Sequence, residues 1–262
     1  MTTFYLGDCL DVMKDLSDGV IDCFVCDLPY GQLSQEKGAT PFGRNVKGPS
    51  DSGCSWDIKI DLNQFWEQVK RLARNEHVPV LMFCNTKFGI DLINSNPDWF
   101  RYDLVWNKGH GVSFLLANKM PMKSHEMIYV FSKHGAFYNR IDVETDKKEW
   151  KRLGKGANRT AVQYSIKQTN EAPREGGQNG MRCVLSVINV KGKKTAGNHP
   201  TEKPEDLYEW LLKRYVPEGG TILDPTAGSF NSCFVADRLG MKAIGIEKDE
   251  MFFERAVKRL NG

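Results

Sequence analysis

The sequence predicts a doubly wound, mostly parallel α/β sheet, and three observations carry that prediction. Short apolar runs alternate along the chain with stretches whose apolar residues recur at helical spacing. The run Ile21-Asp22-Cys23-Phe24-Val25-Cys26 is apolar at almost every position, as in a parallel strand covered by helices on both faces. Two stretches, residues 31–57 and about 134–197, fit neither period and interrupt the alternation. At 262 residues the chain can form one such domain with insertions, or two small domains.

A first strand is expected over 3–6, ending at Gly7-Asp8-Cys9, with a short helical pattern over 10–16. The strand over 21–26 follows. Glycines at 31, 38, 43, 48 and 53, with Pro41 and Pro49, leave 31–57 little means of burying apolar surface, and a mobile loop is expected there. A helix over 61–74 takes Asp61 as its cap and puts Leu62, Phe65, Trp66, Val69 and Leu72 on one face. Next come a strand over 78–83, a helix near 87–94, and strands over 102–106 and 126–131. Regular structure resumes after the second interruption with a helix over 204–215 and a strand over 221–223. A helix over 230–239, a strand over 242–246 and a helix over 250–260 close the chain. The expected division is therefore 1–133, an insertion at 134–197, and 198–262.

Hydrophobic content of 40% and charged content of 26% are ordinary for a globular protein. No apolar run approaches the ~18 residues of a membrane span, and the N-terminus lacks a signal peptide's basic start and apolar core. Seven scattered cysteines argue against a disulfide framework and for a reducing, cytoplasmic compartment. Cys23 and Cys26 have the spacing of a metal or redox pair, but residues three apart on a strand face opposite sides. No second Cys/His pair follows, so core cysteines and no metal are expected. Charge is unevenly spread. Residues 134–195 hold thirteen Lys and Arg against six Asp and Glu, in a chain whose net charge is only +3. A basic block in an otherwise acidic chain fits a polyanionic partner, nucleic acid first, or else a solvated surface segment.

Two places can carry chemistry. The first is Asp27-Leu28-Pro29-Tyr30, at the end of the strand over 21–26. Asp27 can accept a hydrogen bond from an exocyclic amine. The Leu28 carbonyl can accept another, since Pro29 keeps the residue before it extended. Tyr30 offers a ring on which a base can stack. A plain Pro-Tyr-Gly turn has the same sequence signature. The second place is Asp224-Pro225-Thr226-Ala227-Gly228-Ser229, a strand end running into a small-residue turn and a helix. With one glycine it matches neither a dinucleotide fingerprint nor a phosphate-binding loop. A helix N-terminus favours a carboxylate, and Glu247 at the next strand end suits two ribose hydroxyls. S-adenosylmethionine has both groups and no pyrophosphate.

Taken in order, these motifs resemble an amino-group DNA methyltransferase of the β class, whose catalytic half precedes its cofactor half. Asp27-Leu28-Pro29-Tyr30 resembles the family's D-P-P-Y motif, with Leu at the first Pro. Ser55-Trp56-Asp57, Asp103-Leu104-Val105-Trp106-Asn107-Lys108 and His125-Glu126-Met127-Ile128-Tyr129-Val130-Phe131 resemble its following landmarks. His199-Pro200-Thr201-Glu202-Lys203-Pro204 resembles the H-P-T-x-K-P box, and Asp8 matches the position facing the cofactor adenine. The resemblance implies a circularly permuted, Rossmann-like methyltransferase sheet with an inserted target-recognition region. It implies S-adenosylmethionine as cofactor, held by Asp8, Cys9, Asp27, Thr201, Lys203, residues 224–231, Glu247 and Lys248. Within 224–231 those residues are Asp224, Pro225, Thr226, Ala227, Gly228, Ser229, Phe230 and Asn231. It also implies site-specific double-stranded DNA as substrate, contacted by Lys108, Lys147, Lys148, Lys151, Arg152 and Arg159. It leaves open a homodimer and a cognate restriction endonuclease, in a prokaryotic or phage setting.

The resemblance has two departures. The family's loop usually reads G-S-G-T, whereas Phe230-Asn231 follow Gly228-Ser229 here. The usual few residues between D-P-P-Y and W-D become 25. The expected reaction is methyl transfer to adenine N6, with Asp27 and the Leu28 carbonyl holding the amine of a flipped base stacked on Tyr30. No Pro-Cys occurs, so cysteine-based carbon methylation is not indicated. Transfer to cytosine N4 or to RNA would use nearly the same chemistry. Phe230-Asn231 would also fit a nucleic-acid-binding protein that has lost turnover. A nucleotide-dependent oxidoreductase is disfavoured by the missing glycines.

Overall fold

A computed structural model describes residues 2–30, 59–112, 114, 117–144, 181–192 and 202–261. The loop expected at 31–57 and most of the basic block therefore lie outside the described residues. The chain forms two compact units, one of residues 1–139 with 186–262, the other of residues 140–185. In the smaller unit, β6 (Val143–Glu144) pairs antiparallel with β7 (Met181–Arg182).

The larger unit is an eight-stranded sheet. Its parallel part consists of β1 (Thr2–Leu6), β10 (Lys242–Glu247), β9 (Thr221–Asp224), β2 (Cys23–Cys26) and β3 (Val80–Cys84), in that order. Beyond β3 run β5 (Lys123–Phe131), antiparallel, then β4 (Phe100–Val112) and β8 (Val187–Asn189). The sheet is thus mostly parallel and α/β, as the alternation predicts. The edge strand β8 comes from the stretch without visible period, because three residues are too few to show one.

Each helix is placed by its apolar stripe and its cap. Cys9–Asp15 (α1) starts at Asp8, whose carboxylate accepts from the Leu10 amide. Leu62–Leu72 (α2) starts at Asp61, which accepts from the amides of Asn63 and Gln64, and it buries Phe65, Trp66, Val69 and Leu72. Thr86–Ser95 (α3) starts at Asn85. These three pack over Phe24, Cys26, Val80 and Met82. Glu205–Tyr215 (α4), Asn231–Arg238 (α5) and Glu250–Asn261 (α6) lie on the other face, over Cys23, Val25, Leu81 and Ile222. Cys23 and Cys26 accordingly belong to opposite cores, and the described cysteines other than Cys183 are buried and free. Among the described residues no helix is long and apolar enough to cross a membrane.

The departure at 229–231 has a packing explanation. Phe230 is fully buried and takes a left-handed backbone (φ 57°, ψ 20°), a conformation that ordinarily calls for glycine. Its ring lies 4.2 Å from that of Phe4 and reaches Phe253, so burying the side chain offsets the backbone cost. The ring fits only because residue 245 is glycine: a Cβ there would approach Phe230 Cδ1 to 2.6 Å and Cys233 Sγ to 2.8 Å. Gly245→Ala is therefore expected to destabilise the protein by about 1–3 kcal/mol. In a Phe230→Leu background the same substitution should cost clearly less, as measured by urea denaturation. Equal costs in the two backgrounds would refute the coupling.

Candidate functional site

The five parallel strands place their carboxyl ends on one edge of the sheet. The chain leaves β9 for α5 on one face and leaves β2 for α2 on the other. The boundary between β9 and β2 is thus the switch point of a doubly wound sheet, where such folds open a crevice. Asp27 follows β2 there, and Asp224 ends β9. One strand further lies Glu247, ending β10, and one strand beyond that Asp8, just after β1.

Asp27 is held at both oxygens. The Tyr30 hydroxyl donates to Oδ1 (2.9 Å), and the Lys203 ammonium donates to Oδ2 (2.5 Å). Each oxygen keeps a further lone pair for a substrate donor. One face of the Tyr30 ring is backed by Phe88 of α3, with centroids 5.0 Å apart. Leu28 is buried beneath the turn. Lys203 is itself only 6% exposed, 5.1 Å from the centroid of the Phe83 ring and 3.6 Å from Glu126 Oε2. Burial pulls its pKa down, but the charges of Asp27 and Glu126 outweigh that and hold it above the usual lysine value. Lys108 closes the series by pairing with Glu126 Oε1, its ammonium 5.1 Å from the centroid of the Trp106 ring.

The β9–β10 side is built around two carboxylates. Burial raises the Asp224 carboxyl to about 7, against donation from the Ser232 hydroxyl and the Thr226 amide. Glu247 accepts from the Gly228 amide at Oε2 and from the Asp249 amide at Oε1, both at 2.8 Å. Burial raises its pKa despite these donors. The Thr226 hydroxyl is buried without a hydrogen-bond partner among the described residues, as expected of a loop that receives a polar ligand. Asp8 caps α1 with one oxygen and pairs with Lys248 at 3.1 Å with the other.

The structure therefore brings Asp27, Leu28, Pro29, Tyr30, Lys203, Asp224, Thr226, Glu247, Asp8 and Lys248 to one edge of the sheet. The loop stays close to β10 through a hydrogen bond from the Ala227 amide to the Ile246 carbonyl. Asn231 is turned inward: its amide donates to Glu202 and to the Lys203 carbonyl, and its oxygen accepts from Arg259. The side chains of Phe230 and Asn231 thus shape the loop from behind. Thr201, Lys147, Lys148, Lys151, Arg152 and Arg159 lie outside the described residues. Sequence reasoning gave no role to Phe88 or Glu126. Phe88 opens a short helix without local distinction, whereas Glu126 was visible as a charge in an otherwise apolar run.

The family model for N6/N4 methyltransferases, described as DNA methylase, matches residues 21–258. The chain belongs to this DNA methylase family. Type II methyltransferase M.HinfI of Haemophilus influenzae is 25% identical over 268 residues, covering 99% of this chain and 68% of that protein. The M1.HpyAVI–SAM complex superposes with a TM-score of 0.62 at 17% identity, covering 100% of both chains. PvuII DNA methyltransferase (cytosine-N4-specific) superposes with a TM-score of 0.63 at 13% identity, over 98% of this chain and 86% of that one. These neighbours share the Rossmann-like fold. In this DNA methylase the Asp27 motif precedes the 224–247 block, which is the β-class order.

The buried Asp224 makes stability depend on pH. Its carboxyl is raised from an unfolded value near 4 to about 7. The contribution of the neutral form is thus fully present below about pH 4 and is lost as pH rises through 7. Between pH 5 and pH 8 the protein should lose roughly 3 kcal/mol from this group. Asp224→Asn should flatten that part of the slope in denaturation at the two pH values. An unchanged slope would mean Asp224 is already ionised at pH 5.

Proposed function

We propose that this DNA methylase transfers the methyl group of S-adenosylmethionine to the N6 amine of an adenine flipped out of double-stranded DNA. One observation carries the reading: a carboxylate and an aromatic ring backed by Phe88, hydrogen-bonded to each other, stand at the switch point beside a second pair of carboxylates. S-adenosylmethionine supplies a methyl group on a sulfonium, already a good leaving group. The protein's residues fit that cofactor. Glu247 would take the ribose hydroxyls, Asp8 with Lys248 would border the adenine, and residues 225–229 with the orphaned Thr226 hydroxyl would line the rest.

The protein's own task is positioning and electrostatics. An exocyclic amine is a weak nucleophile because its lone pair is delocalised into the ring. Hydrogen bonds from its two protons to Asp27 and to the Leu28 carbonyl favour a pyramidal nitrogen with its lone pair free. Tyr30, backed by Phe88, presents its other face to the base, and flipping costs a few kcal/mol. We assign target recognition to the insertion, with Lys147, Lys148, Lys151, Arg152 and Arg159 contacting phosphates. The Asp at the first motif position together with Asn107-Lys108, through the resemblance, is what favours adenine over cytosine.

Methylation of a random DNA library read by modification-sensitive sequencing tests the base and its context together. Methyl marks on cytosine would overturn the choice of base, and no marks at all would overturn the activity. Asp27→Ala should abolish transfer while leaving cofactor affinity within roughly tenfold, since it chiefly meets the amine. Tyr30→Ala should cost ~1–3 kcal/mol through lost stacking. Tyr30→Phe should fall between the two proteins, because its missing hydroxyl also leaves Asp27 Oδ1 unheld. In calorimetry, Glu247→Ala should weaken S-adenosylmethionine binding by ~1.5–3 kcal/mol. Unchanged affinity there would remove the ribose role.

A further inference from the structure

We propose that Glu126 is a positioning residue for methyl transfer: it holds the Lys203 ammonium against Asp27 and so fixes the carboxylate that meets the target amine. The inference rests on the function proposed above.

Position on the sheet is the first argument. Along β5, Glu126 continues the row of Ile128 and Val130, both fully buried in the core under α4. Along β4, Lys108 likewise continues the row of Leu104 and Trp106, and Trp106 is in register with Glu126. Period-two alternation calls for apolar residues at the ends of both rows. The chain places a Glu and a Lys there instead. A buried ion pair is commonly no more stabilising than apolar residues of the same size, so stability alone does not account for these charges.

Geometry is the second. The four groups alternate in sign, Lys108, Glu126, Lys203, Asp27, and they come from β4, β5, the approach to α4 and the end of β2. Glu126 pairs through Oε1 with Lys108, while its buried Oε2 has no hydrogen-bond partner among the described residues and faces Lys203 at 3.6 Å. That distance leaves Lys203 to donate to Asp27 and lets Glu126 act by charge. Without it, a buried ammonium would have one carboxylate to satisfy it, and Asp27 would carry the whole of that demand.

Among the described residues, the other ionisable groups near this series are few. Tyr30 donates to Asp27, and Cys84 at the end of β3 is a thiol raised to about 12 by burial. Tyr208 on α4 is held neutral by burial, Asp224 lies across the switch point, and Lys123 adds positive charge near Glu126. Glu126 itself stays ionised: burial raises its pKa, but Lys203 and Lys108 together pull it below the usual value.

The test compares full-length wild type and Glu126→Gln on the random DNA library with S-adenosylmethionine. The expected single-turnover rate falls roughly ten- to hundredfold, the scale of a small misplacement of a reacting group. S-adenosylmethionine affinity in calorimetry should stay within about threefold. The alkaline limb of the rate–pH profile should move to lower pH, because Lys203 has lost one of the two carboxylates that keep its proton. Glu126→Asp, which keeps the charge, should recover part of the rate and the original limb. If the single variant does not fold, Lys108→Gln/Glu126→Gln keeps the buried net charge and should show the same loss. A wild-type rate with an unmoved limb in a folded variant overturns the inference and leaves the proposed function standing. So does a rate loss matched by an equal loss of cofactor affinity with the limb unmoved. Absence of DNA methylation by the wild type overturns the proposed function and this inference together.

Discussion

The site depends on one desolvated ammonium. Lys203 is almost wholly buried, and a buried cation persists only where carboxylates replace its lost water. Asp27 and Glu126 do so from two different strands. This requirement joins segments 176 residues apart, tying the H-P-T-x-K-P-like box to the turn after β2. The Pro204 that follows Lys203 begins α4, whose apolar stripe is anchored in the core below. The lysine is thus delivered by a rigid element. Its burial makes the orientation of Asp27 a property of the whole sheet.

A second constraint shapes the cofactor side. Phe230 accepts an unfavourable backbone because its ring finds a slot between Phe4, Phe253 and Gly245. Asn231 behind it ties α5 to Glu202, to the Lys203 carbonyl and to Arg259. The same residue therefore touches both the loop after β9 and the segment that presents Lys203. What reads in sequence as a weakened loop is, in the fold, a loop braced from behind by side chains where the resembled motif has Gly and Thr. The backbone amide of Gly228 still donates to Glu247, so the face presented to a ligand keeps its polar groups.

Much of this was legible in the sequence because the signals were local. Period-two and helical spacing located the long elements, and Asp61 marked one helix start as its cap; Asp8, read only as a cofactor position, caps another. Asp27 and Tyr30 were visible because a carboxylate, a proline and an aromatic ring are packed into one strand end. What stayed hidden depends on non-local pairing. Strand β8 is three residues long and exists only as the parallel partner of β4. Phe88 acquires meaning only when Tyr30 packs on it. Lys108 was expected to meet DNA, yet its ammonium is turned onto Glu126, a partner 18 residues away on the neighbouring strand. No spacing rule links those two positions.

The permuted order of the motifs loses its importance once the strands are placed. Parallel pairing of β2 with β9, Cys23 against Ile222 and Phe24 against Leu223, sets the two strand ends side by side. Asp27 and Asp224 then flank one crevice, whichever half of the chain comes first. Burial has already raised the Asp224 carboxyl, and the Asp27 charge raises it further. A cationic ligand bound beside them would offset both the desolvation of Asp224 and its repulsion from Asp27. Lys203 already pairs with Asp27, whereas Asp224 has no ion-pair partner among the described residues, and the chemistry that suits it is a positively charged group brought beside an amine. A sulfonium methyl donor meets that requirement, and a pyrophosphate would not.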